Sequence, residues 1–300
     1  MAKILVNDGI SSEGGQILRD AGHELTMEKV EQENLKAELG NFDGILVRSA
    51  TKVRTEHIDA APNLKLIGRG GVGLDNIDVD YAKSKGIEII NTPAASSDSV
   101  AELVLAHIFA LSRFIVQANL TMRNKEWNKK QYKGVELAGK TLGVIGFGRI
   151  GQSLAKKAIA LGMKVIAYDV IDIETDIDCE FTRDLDKAIS AADYISLHVP
   201  NLGKPLADSD FIAGMKDGAY LINAARGGVV DEKALVKALD DGKLSGAAVD
   251  VFEVEPAVNM ELINHPKVSV TPHIGASTKE AQARVGRELA TKVNNFFAGK

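Results

Sequence analysis

Short apolar runs alternate with helix-period stretches along almost the whole of this chain. The runs at 3–7, 44–47, 66–68 and 88–90 are apolar at nearly every position, the pattern of strands buried on both faces. Between them, 13–21, 32–39 and 55–60 repeat apolar residues every three or four positions and predict helices. The same alternation returns later. Strands are predicted at 141–145, 164–168, 194–197, 219–223, 247–249 and 268–271, with helices at 184–190, 209–215 and 232–240. Strand–helix alternation of this kind predicts an α/β protein with parallel sheets covered on both faces.

Two further helices carry the spacing of a capping box. Ser99 with Glu102 opens one that runs to about Arg113. It is apolar nearly all round, so it is expected to be buried at a domain junction and to continue into a subunit interface. His107 on this helix reads as a hydrogen-bonded core histidine. Ser277 with Glu280 opens the last helix, through Val285, Leu289, Val293 and Phe296. The simplest wiring returns this helix to the first unit, which makes that unit discontinuous, with two chain crossings as a hinge. The stretch 123–139 is polar, carries the single tryptophan, Trp127, and reads as a surface excursion.

Composition narrows the class without naming a chemistry. At 300 residues two domains are the prior. A net charge of −5 gives no sign of a nucleic-acid or anionic-membrane partner. The single cysteine excludes an internal disulfide or a Cys-rich metal cluster. The amino terminus reads as a strand and no apolar run approaches a membrane span, so a soluble cytoplasmic protein without a metal is expected.

The most informative stretch runs from Lys140 to Asp169. A strand ends in Gly146-Phe-Gly148-Arg149-Ile150-Gly151, a helix follows with Ile150, Leu154, Ala158 and Leu161 on its apolar stripe, and a second strand ends at Asp169. Gly146 permits the tight turn, Gly148 lets a pyrophosphate approach the backbone, and Gly151 lets helix and strand pack closely. The phosphates would rest on the free amides of the helix start. Asp169 lies 18 residues beyond Gly151, where a carboxylate can accept both ribose hydroxyls of an adenosine. A 2′-phosphate there would meet a like charge at a cost of roughly 1 to 4 kcal/mol. NAD is therefore the expected cofactor. The other glycine-rich segment, Gly68 to Asp78, lacks this spacing and suits a small anion.

In open parallel sheets ligands bind beyond the carboxyl ends of the strands. Arg48 and Ser49, Arg69 with Gly71 and Gly73, His198, Arg226, Asp250 and His273 all follow strands. Arg226, in Asn223-Ala-Ala-Arg-Gly-Gly, offers a fork that can hold a carboxylate by two parallel hydrogen bonds. His273 can exchange a proton near neutral pH, as oxidation of an alcohol requires. Either Glu253 or Glu255 could orient it; spacing alone does not choose. No G-x-S-x-G elbow occurs, which disfavours a serine hydrolase. A non-catalytic NAD-sensing protein on the same fold stays open.

Taken together, G-F-G-R-I-G, N-A-A-R-G-G-V-V-D-E, D-V-F-E-V-E-P and T-P-H-I-G-A-S-T resemble, in order and spacing, the D-isomer-specific 2-hydroxyacid dehydrogenases. The resemblance covers essentially the whole chain. It implies two doubly wound domains with a cleft between: a flavodoxin-like substrate domain at 1–95 and 276–300, and a Rossmann NAD domain at 96–275. It implies a catalytic set of Arg226, Glu255 and His273. It also implies NAD contacts at Val72, Gly146, Gly148, Arg149, Ile150, Gly151, Asp169, His198, Val199, Pro200, Ala224, Ala225, Arg226, Asp250, His273, Gly275 and Ala276. The substrate would meet Gly71, Val72 and Gly73 through its carboxylate. Arg48 and Arg69, with Ser49, form a sensible receptor for a phosphate on its far carbon. The partner is then a small phosphorylated 2-hydroxy acid, and the chain a homodimer. Some family members carry a regulatory domain after the final helix; since the chain stops at Lys300, feedback through such a domain is not expected.

Overall fold

The structure, a computed structural model, describes residues 1–299 and falls into two compact units, Met1–Ser97 with Ala276–Lys300, and Asp98–Gly275. The first is built on five parallel strands: β1 (Lys3–Val6), β2 (Glu24–Thr26), β3 (Gly44–Val47), β4 (Leu66–Arg69) and β5 (Glu88–Asn91), in the order β2-β1-β3-β4-β5. Its helices are α1 (Ser12–Asp20), α2 (Leu35–Glu38), α3 (Thr55–Asp59) and α4 (Val79–Ser84). Strand residues alternate between two cores. Leu5, Ile45, Val47 and Ile67 face one, while Ile4, Val6, Leu46 and Leu66 face the other. Burial on both faces is why these strands read as unbroken apolar runs.

The second unit contains α5 (Ser97–Ser112), α6 (Ile115–Arg123), β6 (Thr141–Ile145), α7 (Arg149–Ala160), β7 (Lys164–Tyr168), β8 (Glu180–Thr182), α8 (Leu185–Ala191) and β9 (Tyr194–Leu197). It continues through α9 (Ser209–Gly214), β10 (Ala219–Asn223), α10 (Glu232–Asp240), β11 (Leu244–Val249), α11 (Met260–Ile263) and β12 (Val268–Val270). Seven parallel strands lie in the order β12-β11-β10-β9-β6-β7-β8. The order reverses between β6 and β9, the switch point at which an open parallel sheet holds its ligand. These are the parallel sheets that the residue pattern predicts, arranged in the two doubly wound domains that the family resemblance implies.

The final helix, α12 (Lys279–Phe297), buries Leu289, Ala290 and Val293 in the core that holds Ile4, Val6 and Leu18 of the first unit. Its close approach to α1 depends on two glycines. A Cβ on Gly14 would lie 2.7 Å from the Gly286 carbonyl oxygen, and one on Gly286 would strike Ser11 Oγ.

Several local expectations need correction. α5 opens at Ser97, and Ser99 is no cap: it is buried inside the helix and its hydroxyl donates to the Gly275 carbonyl at 2.6 Å. Thr278, not Ser277, caps α12, accepting from the Ala281 amide at 3.1 Å. At α12 the next residue offers the same hydroxyl-to-amide spacing one position on, whereas at α5 the Ser99 hydroxyl is drawn to the Gly275 carbonyl instead. The predicted helix at 32–39 shrinks to α2, because Gln32 spends its side chain on both backbone groups of Lys52. Leu161 falls off the buried stripe of α7 as its C-cap. Phe114, at φ 54°, breaks the long apolar segment, and α6 leaves α5 at 63°. No single helix among the described residues is long and apolar enough to cross a membrane.

Candidate active site

The turn after β6 forms as its sequence requires. Gly146 has φ 94°, and a Cβ there would lie 2.6 Å from the His198 carbonyl oxygen. A Cβ on Gly151 would collide with the Gly146 carbonyl, so the first turn of α7 can lie against the strand end only without one. At Gly148 a Cβ would meet nothing within 4 Å. The space over that backbone is open, and Arg149 and Ile150 begin the helix beside it.

Asp169 follows β7 and is tied to this turn, its Oδ2 accepting from the Phe147 amide at 2.8 Å. Its Oδ1 accepts more weakly from the Ile171 amide, at 3.4 Å, and the residue lines a cavity of about 480 Å³. The cavity is lined by Gly146, Tyr168, Asp169, His198, Val199 and Pro200, with Leu202, Lys204 and Leu206 from the following loop. Strand β9 pairs with β6 up to Ile145 and Leu197, which brings His198 beside Gly146. His198 Nε2 bonds Ser196 Oγ at 2.9 Å, while Nδ1 is buried with no partner. Burial pushes this imidazole down to about 4, so it is neutral at physiological pH.

The strand ends on the other side of the switch point carry the remaining groups. After β10, Ala224 and Ala225 are buried, and Asn223 braces the turn by accepting from the Ala225 amide and donating to the Arg226 carbonyl, each at 3.1 Å. The Arg226 guanidinium donates to the Ala225 carbonyl at 2.6 Å. Gly227 has no room for a side chain, because its Cβ would strike the Phe252 carbonyl; the Arg226 turn thereby packs on the segment that leads to Glu255.

His273 and Glu255 meet: Nδ1 lies 2.7 Å from Oε2. The second Glu255 oxygen accepts from the Phe252 amide at 3.2 Å. Burial alone would push the Glu255 carboxyl up; the His273 hydrogen bond and charge, the Phe252 amide and the Arg226 guanidinium outweigh it and hold the group below the usual carboxylate range. Glu253, the alternative that spacing left open, is engaged elsewhere, in reciprocal bonds with Glu232. Asp250, 1% exposed, accepts from the Ile274 amide at 2.8 Å and the Gly275 amide at 2.9 Å. An ionised Glu255 favours a proton on Nδ1 of His273, leaving Nε2 to take one from a ligand hydroxyl.

Within the first unit, Val47 pairs with Arg69, so Arg48 and Arg69 stand at the ends of adjacent strands, with Ser49 exposed beyond. Asp8 fixes that loop by accepting from the amides of Arg48 at 2.6 Å and Thr51 at 3.1 Å. Gly71 has φ 151° and lies under the Arg69 guanidinium, where a Cβ would collide. Val72 and Gly73 continue the turn, half-buried, with the Val72 carbonyl accepting from Asn91 Nδ2 at 2.7 Å. Ala276, next to Gly275 in sequence, lies in the first unit, where its carbonyl accepts from Gln282.

Residues 105–275 match the sequence profile of the D-isomer specific 2-hydroxyacid dehydrogenase, NAD binding domain. The chain belongs to this family. A hydroxypyruvate reductase from Thermotoga maritima is 48% identical over 297 residues, 97% of either chain. A D-3-phosphoglycerate dehydrogenase from Methanocaldococcus jannaschii is 43% identical over 305 residues; this chain is covered in full but spans only 58% of that relative. Among solved structures, D-lactate dehydrogenase from Aquifex aeolicus, complexed with NAD and lactic acid, superposes with a TM-score of 0.85 at 34% identity, over 99% of this chain and 96% of the other. The cofactor of the dehydrogenase is NAD. The open backbone at Gly148, the cavity edged by Asp169 and the unpartnered His198 Nδ1 fit a dinucleotide.

The sequence reading missed the far wall of the cavity, where Leu202, Lys204 and Leu206 belong to a loop without a repeating pattern. It also missed Asp8, whose role depends on contacts 40 and 43 residues away. The one available signal was position, since Asp8 stands just past the end of a predicted strand.

Proposed function

We propose that this dehydrogenase oxidises D-3-phosphoglycerate to 3-phosphohydroxypyruvate, the first step towards L-serine. The observation that carries a dehydrogenase chemistry is the 2.7 Å pair of His273 and Glu255, with the Arg226 turn packed beside it. NAD supplies the hydride acceptor. Gly146, Gly148 and the first turn of α7 would hold its pyrophosphate, and Asp169 its adenosine ribose. Arg226 orients the substrate's carboxylate and C2 oxygen; His273 Nε2 takes the C2 hydroxyl proton, and Glu255 stabilises the imidazolium that results. The Gly71–Gly73 backbone is assigned to the carboxylate, and Arg48 and Arg69 to the phosphate.

A second reading, a hydroxypyruvate or glyoxylate reductase, is favoured by the T. maritima relative, which matches along nearly its full length. The two readings differ in whether a phosphate is needed. Initial rates with D-3-phosphoglycerate and NAD at alkaline pH, and with phosphohydroxypyruvate, hydroxypyruvate and glyoxylate and NADH, decide between them. On the first reading Arg69→Ala lowers kcat/KM at least tenfold for the phosphorylated substrates and leaves the plain ones within twofold, as expected for loss of a charge-assisted contact. Equal rates on plain and phosphorylated acids would select the second reading, and no turnover of any would point to an NAD-sensing role.

The same proposal takes the chain as a cytoplasmic homodimer. α6 has no buried residue, yet it presents Ile115, Val116, Leu120 and Met122, each about half exposed.

A further inference from the structure

The proposed chemistry leaves His107 without a task, although it is 4% exposed and bonded at both ring nitrogens. Nδ1 lies 2.9 Å from Ser269 Oγ and Nε2 3.0 Å from Thr271 Oγ1. Thr271 Oγ1 is in turn 2.6 Å from Asp250 Oδ1. A carboxylate can only accept, so the Thr271 hydroxyl donates to it. Its proton thus spent, that hydroxyl can only accept from His107. Nε2 therefore carries the ring proton, Nδ1 is bare, and Ser269 donates to it. This tautomer is that of a neutral imidazole, and burial pushes His107 down against the opposing pull of Asp250.

At its other end the chain reaches the proposed acid–base residue. The Asp250 carbonyl accepts from the His273 amide at 2.8 Å, and its carboxylate takes the next two amides, of Ile274 and Gly275. His273 itself has φ 53°, a left-handed conformation that L residues seldom adopt unless held. Asp250 thus grips three consecutive amides around a strained residue, and Thr271 and His107 fix the orientation of that grip from the interior.

We propose that Ser269, His107, Thr271 and Asp250 form a positioning relay that holds His273 in the conformation in which its Nδ1 meets Glu255. The proposal rests on the dehydrogenase reading. His107 and Thr271 touch neither reactant; they act through the loop.

Thr271→Val tests it, because valine keeps the shape and loses only the hydroxyl. The expected result is a 10- to 50-fold loss in kcat for 2-oxo acid reduction with the NADH dissociation constant within twofold, and recovery to within threefold in Thr271→Ser. In a His273→Ala background Thr271→Val should add less than a twofold loss, since the residue it positions is gone. An undiminished kcat, or an equal loss in both backgrounds, overturns the relay. Should Thr271→Val not fold, Ser269→Ala removes the far-end donor and is judged by the same non-additivity. The ring-nitrogen spectrum of ¹⁵N-histidine-labelled protein gives a readout that needs no turnover. His107 should appear as the Nε2–H tautomer, and the His273 signals should move in Thr271→Val; an Nδ1–H His107, or unmoved His273 signals, overturns the proposal even if no substrate is found. Failure to turn over any 2-hydroxy or 2-oxo acid counts against the functional reading alone.

Discussion

Each unit has a glycine-rich turn at the end of a buried parallel strand, and the two are built for different work. After β6 the glycines lead straight into α7, so the backbone at Gly148 stands open at the start of a 12-residue helix. After β4, Gly70 to Gly73 lead into irregular chain, and the next helix, α4, begins only at Val79. The side chains above them differ as well. A neutral imidazole, His198, lies beside Gly146, whereas the Arg69 guanidinium covers Gly71. Glycine content alone is therefore a poor guide to the ligand. A helix start offers unpaired amides and a favourable dipole to a pyrophosphate, while a turn beneath a guanidinium suits a small anion met mainly by charge.

Separating the two turns by mutation should give effects of unequal size. The largest is expected from Gly148→Val: its side chain enters open space, so Tm should fall by no more than about 2 °C. The NADH dissociation constant should nevertheless rise about 30- to 100-fold, because the pyrophosphate can no longer approach the backbone. Fluorescence titration of NADH beside a thermal melt checks both halves, and unaltered affinity would break the contrast. Gly71→Ala should do the reverse. At φ 151° an alanine is strained by about 1 to 2 kcal/mol, and it displaces Arg69. Steady-state kinetics should show KM for a phosphorylated substrate raised about tenfold, with NADH affinity unchanged.

The smallest effect concerns the side chains above the turns. His198 titrates near 4 when folded and near 6.5 when unfolded, so the unfolded chain binds the extra proton between those values. Its contribution is complete above about pH 6.5 and is lost as pH falls towards 4, amounting to about 1 to 2 kcal/mol between pH 7 and pH 5. Urea unfolding at the two pH values should show that loss in the wild type and a shallower dependence in His198→Asn. A guanidinium keeps its charge throughout that range, so Arg69→Ala should leave the dependence as it is. Equal slopes in wild type and His198→Asn would mean that His198 is not buried neutral.

Much of the fold was legible because burial on both faces leaves a strong mark. All the predicted strands formed, since a parallel strand covered on two sides admits few polar residues. Most of the elements missed were short ones at edges and corners: β2, β8, α4 and α11, of three to six residues, are too brief to show a period, while the nine-residue α6 buries no residue and so carries no apolar stripe. The capping-box expectations failed for two reasons: at α12 the cap moved one residue on, to Thr278, and at α5 the Ser99 hydroxyl serves a contact with Gly275 that lies far along the chain. At the site, the glycine turn and Asp169 could be placed by spacing, since their relation is local to one strand–helix–strand unit. Which glutamate meets His273 could not.

By itself the sequence determined the class of fold, the glycine turn after β6 and the set of polar residues at strand ends, because each is written in local periodicity or in residue types suited to one backbone conformation. The tertiary structure alone decided the pairings: Glu255 rather than Glu253 on His273, Asp8 on the Arg48 loop, and His107 joined through Thr271 to Asp250. Those bonds join residues 18 to 164 positions apart. Their partners are set by which strands become neighbours, a property of the packed sheet that no stretch of chain contains.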